Sequence, residues 1–186
     1  ISGIILINFM KFKGKLIKGK LIKRYKRFFT DVKFNNEVIT AHCPNTGSMR
    51  GLLDEGTPVV VTKANDPKRK LKYTLEIIKS GNANVGVNTH KANRIVEDAI
   101  EMHLIPELGK YDTFKREVKY GTNSRIDFLL SDGAKQTYVE VKNVTLSRKK
   151  ETAEFPDAIT ERGSKHLIEL SKLPDKNTRA VMLFLI

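Results

Sequence analysis

Asp127, Glu140 and Lys142 are the residues of this 186-residue chain whose types and spacing suit chemistry on a phosphate. Asp127 lies in Arg125-Ile126-Asp127-Phe128-Leu129-Leu130, a charge set among apolar neighbours. Glu140 and Lys142 lie in Tyr138-Val139-Glu140-Val141-Lys142. Side chains alternate along a strand, so Glu140 and Lys142 share a face. A hairpin turning at Asp132-Gly133 sets Asp127 beside them. Two carboxylates are hard oxygen donors for a hydrated Mg2+ or Mn2+ ion. Such an ion activates water and stabilises charge on a phosphate, and the lysine would orient the water or hold the phosphate. The plainer reading of the same residues is a salt bridge from Lys142 to Asp127 or Glu140. An aspartate followed by Glu-x-Lys is weak evidence alone, and the strand–hairpin–strand setting strengthens it.

The elements that must position these residues follow from periodicity. After Asn88-Thr89, with Thr89 as the expected cap, Ala92, Ile95, Val96, Ala99 and Ile100 recur at helical spacing. Pro106 is expected to end that helix. Strands are predicted at 114–120, 125–130 and 138–144, a helix over 156–173 with Phe155, Ile159, Leu167 and Leu170 on one stripe, and a buried strand at 180–186. The order is α-β-β-β-α-β, with the candidate site between the helices. Asp98, or Glu101, on the first helix would add a carboxylate ligand, and Glu117 and Lys119 would line the same cleft. On the last helix Arg162, Lys165, His166 and Glu169 form a stripe suited to phosphate. A solvent face with a Glu161–Lys165 pair is the alternative.

The first half has a different character. Residues 1–82 hold 17 Lys/Arg against 6 Asp/Glu, whereas residues 83–186 hold 17 against 15. The net charge of +13 suits a polyanionic partner, most often nucleic acid. The repeat GKLIK at 14–18 and 19–23, then Tyr25, Phe28 and Phe29, reads as strand, with strand signals continuing at 31–34, 38–41, 58–62 and 72–78. Five strands at this spacing suggest an OB-like barrel, which binds nucleic acid through basic and aromatic side chains. The expected phosphate contacts are Lys23, Arg24, Lys26 and Arg27, and the cluster Lys68, Arg69 and Lys70; lysines guarding an exposed strand edge are the alternative. The run from Ala41 to Met49 (AHCPNTGSM) has amides that would cradle a phosphate. His42 and Cys43 point to opposite faces of a strand and do not make a nucleophile pair. The turn-rich break at 81–84 is taken as the boundary between domains 1–82 and 83–186.

Cys43 is the single cysteine, which leaves no intrachain disulfide and suits a reducing cytoplasm. No apolar stretch approaches the roughly 20 residues of a membrane span, and the run at 4–7 is too short for a leader. No function is assigned to residues 1–9.

The runs at 21–28, 41–49, 65–70, 85–89, 117–121, 124–130, 138–145 and 155–170 resemble the sugar fermentation stimulation protein family, over most of the chain from about residue 20. The resemblance implies an N-terminal OB-like barrel followed by a PD-(D/E)XK restriction-endonuclease-like α/β domain. It also implies DNA binding largely without sequence preference, with a proposed role in regulating sugar (maltose) metabolism genes. Asp127, Glu140 and Lys142 fall on the nuclease signature, and Asp98 stands where the family's helix acid, often Glu, is expected. The family pattern continues with a further strand and helix, so the domain is expected to be incomplete at its C-terminal edge. Two functions follow as expectations: a DNA-binding regulatory protein, and a Mg2+- or Mn2+-dependent nuclease. The residues do not separate DNA from RNA, and a homodimer is compatible with either function.

Overall fold

The computed structural model describes residues 11–12, 14–121, 124–149, 151–156 and 161–186, the last without the side chain of Arg162. The readings at residues 1–9 and at Ile159 lie outside it. By contacts the chain forms two compact units, residues 1–94 with 144–157, and residues 95–143 with 158–186.

The first unit is a barrel of β1 (Leu16–Tyr25), β2 (Phe29–Phe34), β3 (Glu37–His42), β4 (Pro58–Lys63) and β5 (Tyr73–Ser80), extended by β6 (Ala83–Gly86). The strands run in the order β3-β2-β1-β4-β5-β6, and a parallel pairing of β3 with β5 closes the barrel. The break expected at 81–84 is the turn of the β5–β6 hairpin, with Ser80 paired to Ala83. Ile17, Leu21, Val32, Val59, Val61, Leu75 and Ile78 fill the interior. The repeated GKLIK has an odd period, so its two copies face opposite ways: Leu16 is 47% exposed and Leu21 only 1%. β1 stays inward-facing through Ile17 and Leu21, four apart.

The second unit is a sheet in the order β12-β9-β8-β7, from β7 (Thr113–Tyr120), β8 (Ser124–Asp132), β9 (Lys135–Asn143) and β12 (Thr178–Leu185). β7, β8 and β9 are antiparallel, and β12 is parallel to β9. A parallel neighbour demands a crossover, and α2 (Glu161–Ser171) lies on that connection. Also between β9 and α2 is a short hairpin, β10 (Leu146–Lys149) and β11 (Thr152–Glu154), grouped with the first unit. The fold is thus an OB barrel followed by an α/β domain, as expected. No helix among the described residues is long and apolar enough to cross a membrane.

Helix α1 (Ala92–Glu101) differs at its ends from the expectation. A 3-10 turn, Thr89–Lys91, precedes it, and the cap is Asn88, whose side chain accepts from the His90 N–H. The Thr89 hydroxyl donates instead to the Pro44 carbonyl at 2.6 Å. The helix stops at Glu101, and Pro106 opens a separate 3-10 turn.

Gly19 makes the β1–β2 packing possible, because a Cβ there would stand 2.5 Å from Val32 Cγ1 and 2.8 Å from the Lys33 carbonyl oxygen. Gly19→Ala should therefore lower the unfolding free energy by about 1–3 kcal/mol, read as a lower urea midpoint. Gly86→Ala, where nothing lies within 4 Å, serves as the control; equal midpoints for the two variants would remove Gly19 as a packing constraint.

Candidate functional site

The β8–β9 hairpin, turning at Gly133, pairs Phe128 with Val139 and brings Asp127 next to the Glu140–Lys142 segment. Asp127 Oδ2 accepts the backbone N–H of Val141 at 2.7 Å, which fixes the carboxylate at the sheet edge of a cleft. Glu140 is 4% exposed. Its Oε1 accepts from Lys142 Nζ at 2.5 Å and lies 3.1 Å from His166 Nδ1 on α2. Its Oε2 is buried and has no hydrogen-bond partner among the described residues. Burying a carboxylate costs several kcal/mol unless it is compensated. Here two cationic or polar neighbours converge on one oxygen and leave the other unserved.

The salt bridge between Glu140 and Lys142 is real, so the plainer reading of the motif holds for that pair. It accounts for Oε1 alone. Asp127, Glu140 and His166 line a cleft of about 680 Å³, together with Glu117, Ser124, Arg125, Glu161 and Lys165. An ion of the Mg2+ type takes one or two carboxylates and keeps several waters. Asp127 and the unserved Glu140 Oε2 fit that demand. Among the described residues no group of three or more His, Cys, Asp or Glu side chains is arranged to hold a metal.

Asp98 is buried on α1, and the described lining of the cleft does not include it. Its neighbour Glu97 is paired with Arg116 at 3.0 Å. Glu117 does line the cleft. It lies between the paired positions Arg116↔Phe128 and Val118↔Ile126 and has φ 51°, a left-handed conformation in the middle of a strand. Such a residue costs of order 1–3 kcal/mol and is often found at functional sites. Only alternation hinted at Glu117 in the sequence; the irregular backbone had no signal there.

On α2 the Glu161–Lys165 pair considered as the alternative does not form, and Lys165 pairs elsewhere. Lys165 Nζ lies 3.8 Å from Glu169 Oε1, one turn towards the C-terminus. Ser124 at the start of β8 donates to Glu169 and holds that carboxylate in place, while Glu161 faces the cleft. His166, expected only as part of the stripe, is the α2 residue that reaches Glu140. The side chain of Arg162 lies outside the described residues. Tyr120, 7% exposed, lies within electrostatic reach of these carboxylates. Burial first, then the negative charges of Glu140, Glu169 and Asp127, push its phenol pKa above the ordinary 10.0, against the Ser124 hydroxyl, which lowers it.

In the barrel, Lys23, Lys26, Arg27, Lys68 and Lys70 are exposed. Lys26 and Arg27 form the β1–β2 turn, and Lys68, Arg69 and Lys70 stand in the β4–β5 loop, which the Asp66 carboxylate shapes by accepting the Lys68 N–H at 2.8 Å. Arg24 is committed elsewhere: its guanidinium donates to the carbonyls of Arg27 at 3.1 Å and Asn45 at 2.7 Å. In the AHCPNTGSM run the Gly47 amide is taken by Asn45 Oδ1 at 2.8 Å. Cys43 is fully buried against Met49, with Sγ to Sδ 3.6 Å.

Residues 22–87 match the family model of the SfsA N-terminal OB domain, and residues 90–186 that of the sugar fermentation stimulation protein RE domain. The chain is 56% identical over 177 residues to the sugar fermentation stimulation protein homolog of Pelagibacter ubique (strain HTCC1062), covering 95% of this chain and 76% of that one. It is 49% identical over 179 residues to the homolog of Maricaulis maris (strain MCS10), covering 95% and 76%. Among solved structures it resembles Pyrococcus furiosus SfsA in complex with Ca2+, with a TM-score of 0.80 and 28% identity over 91% of this chain and 72% of that one.

The raised phenol of Tyr120 has a pH consequence. An unfolded chain loses that proton near 10.0 while the folded chain keeps it, so the stabilising contribution is complete below pH 10 and is lost as pH rises through the folded pKa. Tyr111, raised by burial, acts in the same direction. The urea midpoint should fall between about pH 9 and about pH 11, and less steeply in Tyr120→Phe; an unchanged slope in that variant would exclude Tyr120 as a source.

Proposed function

The chain belongs to the sugar fermentation stimulation protein family, and on that premise we propose that it binds DNA through its barrel and holds a divalent metal ion at Asp127 and Glu140. The observation that carries the binding is the pairing of β3 with β5 at His42↔Thr74, which sets the start of β5, and so the β4–β5 loop, beside the end of β3. The β1–β2 turn adjoins the same strand end, because the Cys43 N–H donates to the Phe28 carbonyl at 2.8 Å. Two exposed basic loops thus share one end of the barrel, the end at which OB folds take up oligonucleotides. Contacts of this kind are to phosphate and carry little sequence information. Binding without strong sequence preference would suit a regulatory role in sugar metabolism.

A second reading, metal-dependent hydrolysis of a phosphodiester, rests on the unserved oxygen of Glu140. The Ca2+ complex of the Pyrococcus furiosus relative supports a divalent ion in this fold. A bound Mg2+ or Mn2+ would supply Lewis-acid activation of water and phosphate. The chain's own contributions would be distinct. Asp127 and Glu140 would hold the ion, Lys142 would fix Glu140 Oε1 and face the incoming water, and Lys165 would meet a phosphate oxygen across the cleft.

The binding reading predicts a steep loss of DNA affinity with salt, and a log–log slope shallower by about 2 for Lys26→Ala/Arg27→Ala, roughly one unit per lost phosphate contact. A slope unchanged in the double variant would take the β1–β2 turn out of the interface. The metal reading predicts Ca2+ binding by calorimetry to the unaltered chain that is lost in Glu140→Gln. It also predicts labelled DNA cut with Mg2+ or Mn2+ by the unaltered chain and left intact by Lys142→Ala. Ca2+ bound with DNA uncut would leave a metal-binding DNA-binding protein; neither event would leave the salt bridge as the whole role of these residues.

A further inference from the structure

The β1–β2 turn departs from what its sequence favours. Lys26 and Arg27 have φ 47° and 61°, left-handed conformations that Gly and Asn adopt far more readily. The turn is held in that shape from outside. Arg24 ties the Arg27 carbonyl to the Asn45 carbonyl, and the Phe28 backbone joins Cys43 through its carbonyl and Lys26 through its N–H. What these ties set is the side chain of Phe28. It is 45% exposed, and its ring lies at 18° to the imidazole of His42 with centroids 6.4 Å apart. An apolar ring is thereby kept presented to water on a turn that also displays two cations.

His42 ends β3 at the barrel closure, and the β4–β5 loop reaches it. Burial lowers the pKa of His42, and the positive charge of Arg69 in that loop, then of His90, lowers it further. The imidazole is thus kept neutral and able to stack. The exposed Lys26 and Arg27 precede Phe28 in the same turn, and the exposed Lys68 and Lys70 flank Arg69, whose charge reaches His42. Flat aromatic faces ringed by cations are the features by which barrels of this type hold unpaired bases, each stacked base adding to a backbone attraction that is blind to sequence. In a duplex the base faces are already stacked on one another, so a platform of this kind is idle there.

We propose that the Phe28–His42 pair is a stacking platform for an unpaired nucleobase, and that the DNA this barrel prefers is single-stranded or locally unpaired. This rests on the DNA-binding reading above and adds strand selection to it.

The chain contains no Trp, so Phe28→Trp in the full chain places one fluorophore at the platform. A short oligothymidylate should quench its emission. An abasic oligonucleotide of equal length and charge should not, and a duplex should do so only weakly. Phe28→Ala should bind oligothymidylate about tenfold more weakly, with the salt slope and the abasic affinity unchanged. Oligothymidylate that binds without quenching, and as tightly to Phe28→Ala, would overturn the platform while leaving DNA binding intact. Failure of every oligonucleotide to bind would overturn both. Phe28-dependent binding of anionic lipid vesicles with no binding of oligothymidylate would assign the aromatic pair to a membrane surface instead.

Discussion

A carboxylate removed from water has to recover its lost hydration from hydrogen bonds and opposite charge, and each unit of this chain buries one glutamate on a strand. In the barrel it is Glu76, 3% exposed. Its Oε1 accepts from the Thr62 hydroxyl at 2.7 Å, and its Oε2 from Asn88 at 2.8 Å and from Lys91 at 3.0 Å. Both oxygens are served, and the donors come from β4 and from the segment leading into α1. Such a clasp ties the strand to the chain that follows it, and removing one partner would leave a buried charge. In the second unit it is Glu140, equally buried, with both neighbours on one oxygen and none on the other. Residue type and burial are the same in the two cases. The two differ in satisfaction alone, and a buried polar atom left without a partner calls for an explanation, which the proposed metal ion would supply.

That difference also marks the limit of what the residues reveal in order. Strands could be read because their apolar residues alternate, as in β2, β3, β4, β5, β7, β8 and β9, or run together, as in β12, which lies on the segment expected to be buried but is a half-exposed edge strand. β6 reads as a break because Gly81 and Asn82 dominate its turn, and a four-residue strand with two apolar side chains, Ala83 and Val85, is too short to show a period. β10 and β11 are as short. The pairing of Asp127 with the Glu140 strand was legible, since hairpin geometry follows from the turn. The choice among helix partners was not. Asn88 rather than Thr89 caps the turn because the Thr89 hydroxyl is claimed by Pro44, 45 positions away, and Lys165 turns to Glu169 because Ser124 holds that carboxylate. These outcomes depend on hydrogen-bond partners far away in the chain, which periodicity along one element does not register.

Three of the local departures from propensity fall where the proposed functions lie, while Asn35, Met49, His103 and Glu151 adopt left-handed conformations elsewhere. Lys26 and Arg27 in the barrel turn and Glu117 on β7 are charged residues in left-handed conformations. A sequence free to minimise local strain would place Gly or Asn there. Holding charged side chains in these conformations costs stability, and each site is braced by other contacts. The turn is tied through Arg24, and Glu117 is flanked by regular ladder pairs on both sides. Strain that is retained and braced is consistent with a geometric requirement on the side chain it presents.

Charge balance within the second unit bears on how a phosphodiester would approach it. Among the described lining of the cleft, Glu117, Asp127, Glu140 and Glu161 oppose Arg125 and Lys165, with His166 engaged by Glu140. Lys142 is already spent on Glu140. A phosphodiester entering this cleft would therefore meet net negative charge, and like charges in a partly desolvated site repel by several kcal/mol at an effective dielectric of about 20. Arg125 and Lys165 offset only part of that charge. The remaining way to make the cleft receptive to phosphate is an added positive charge at the oxygen that Glu140 leaves unserved. In the proposed function metal and phosphodiester would be linked ligands of one site, each raising the affinity for the other by the same factor.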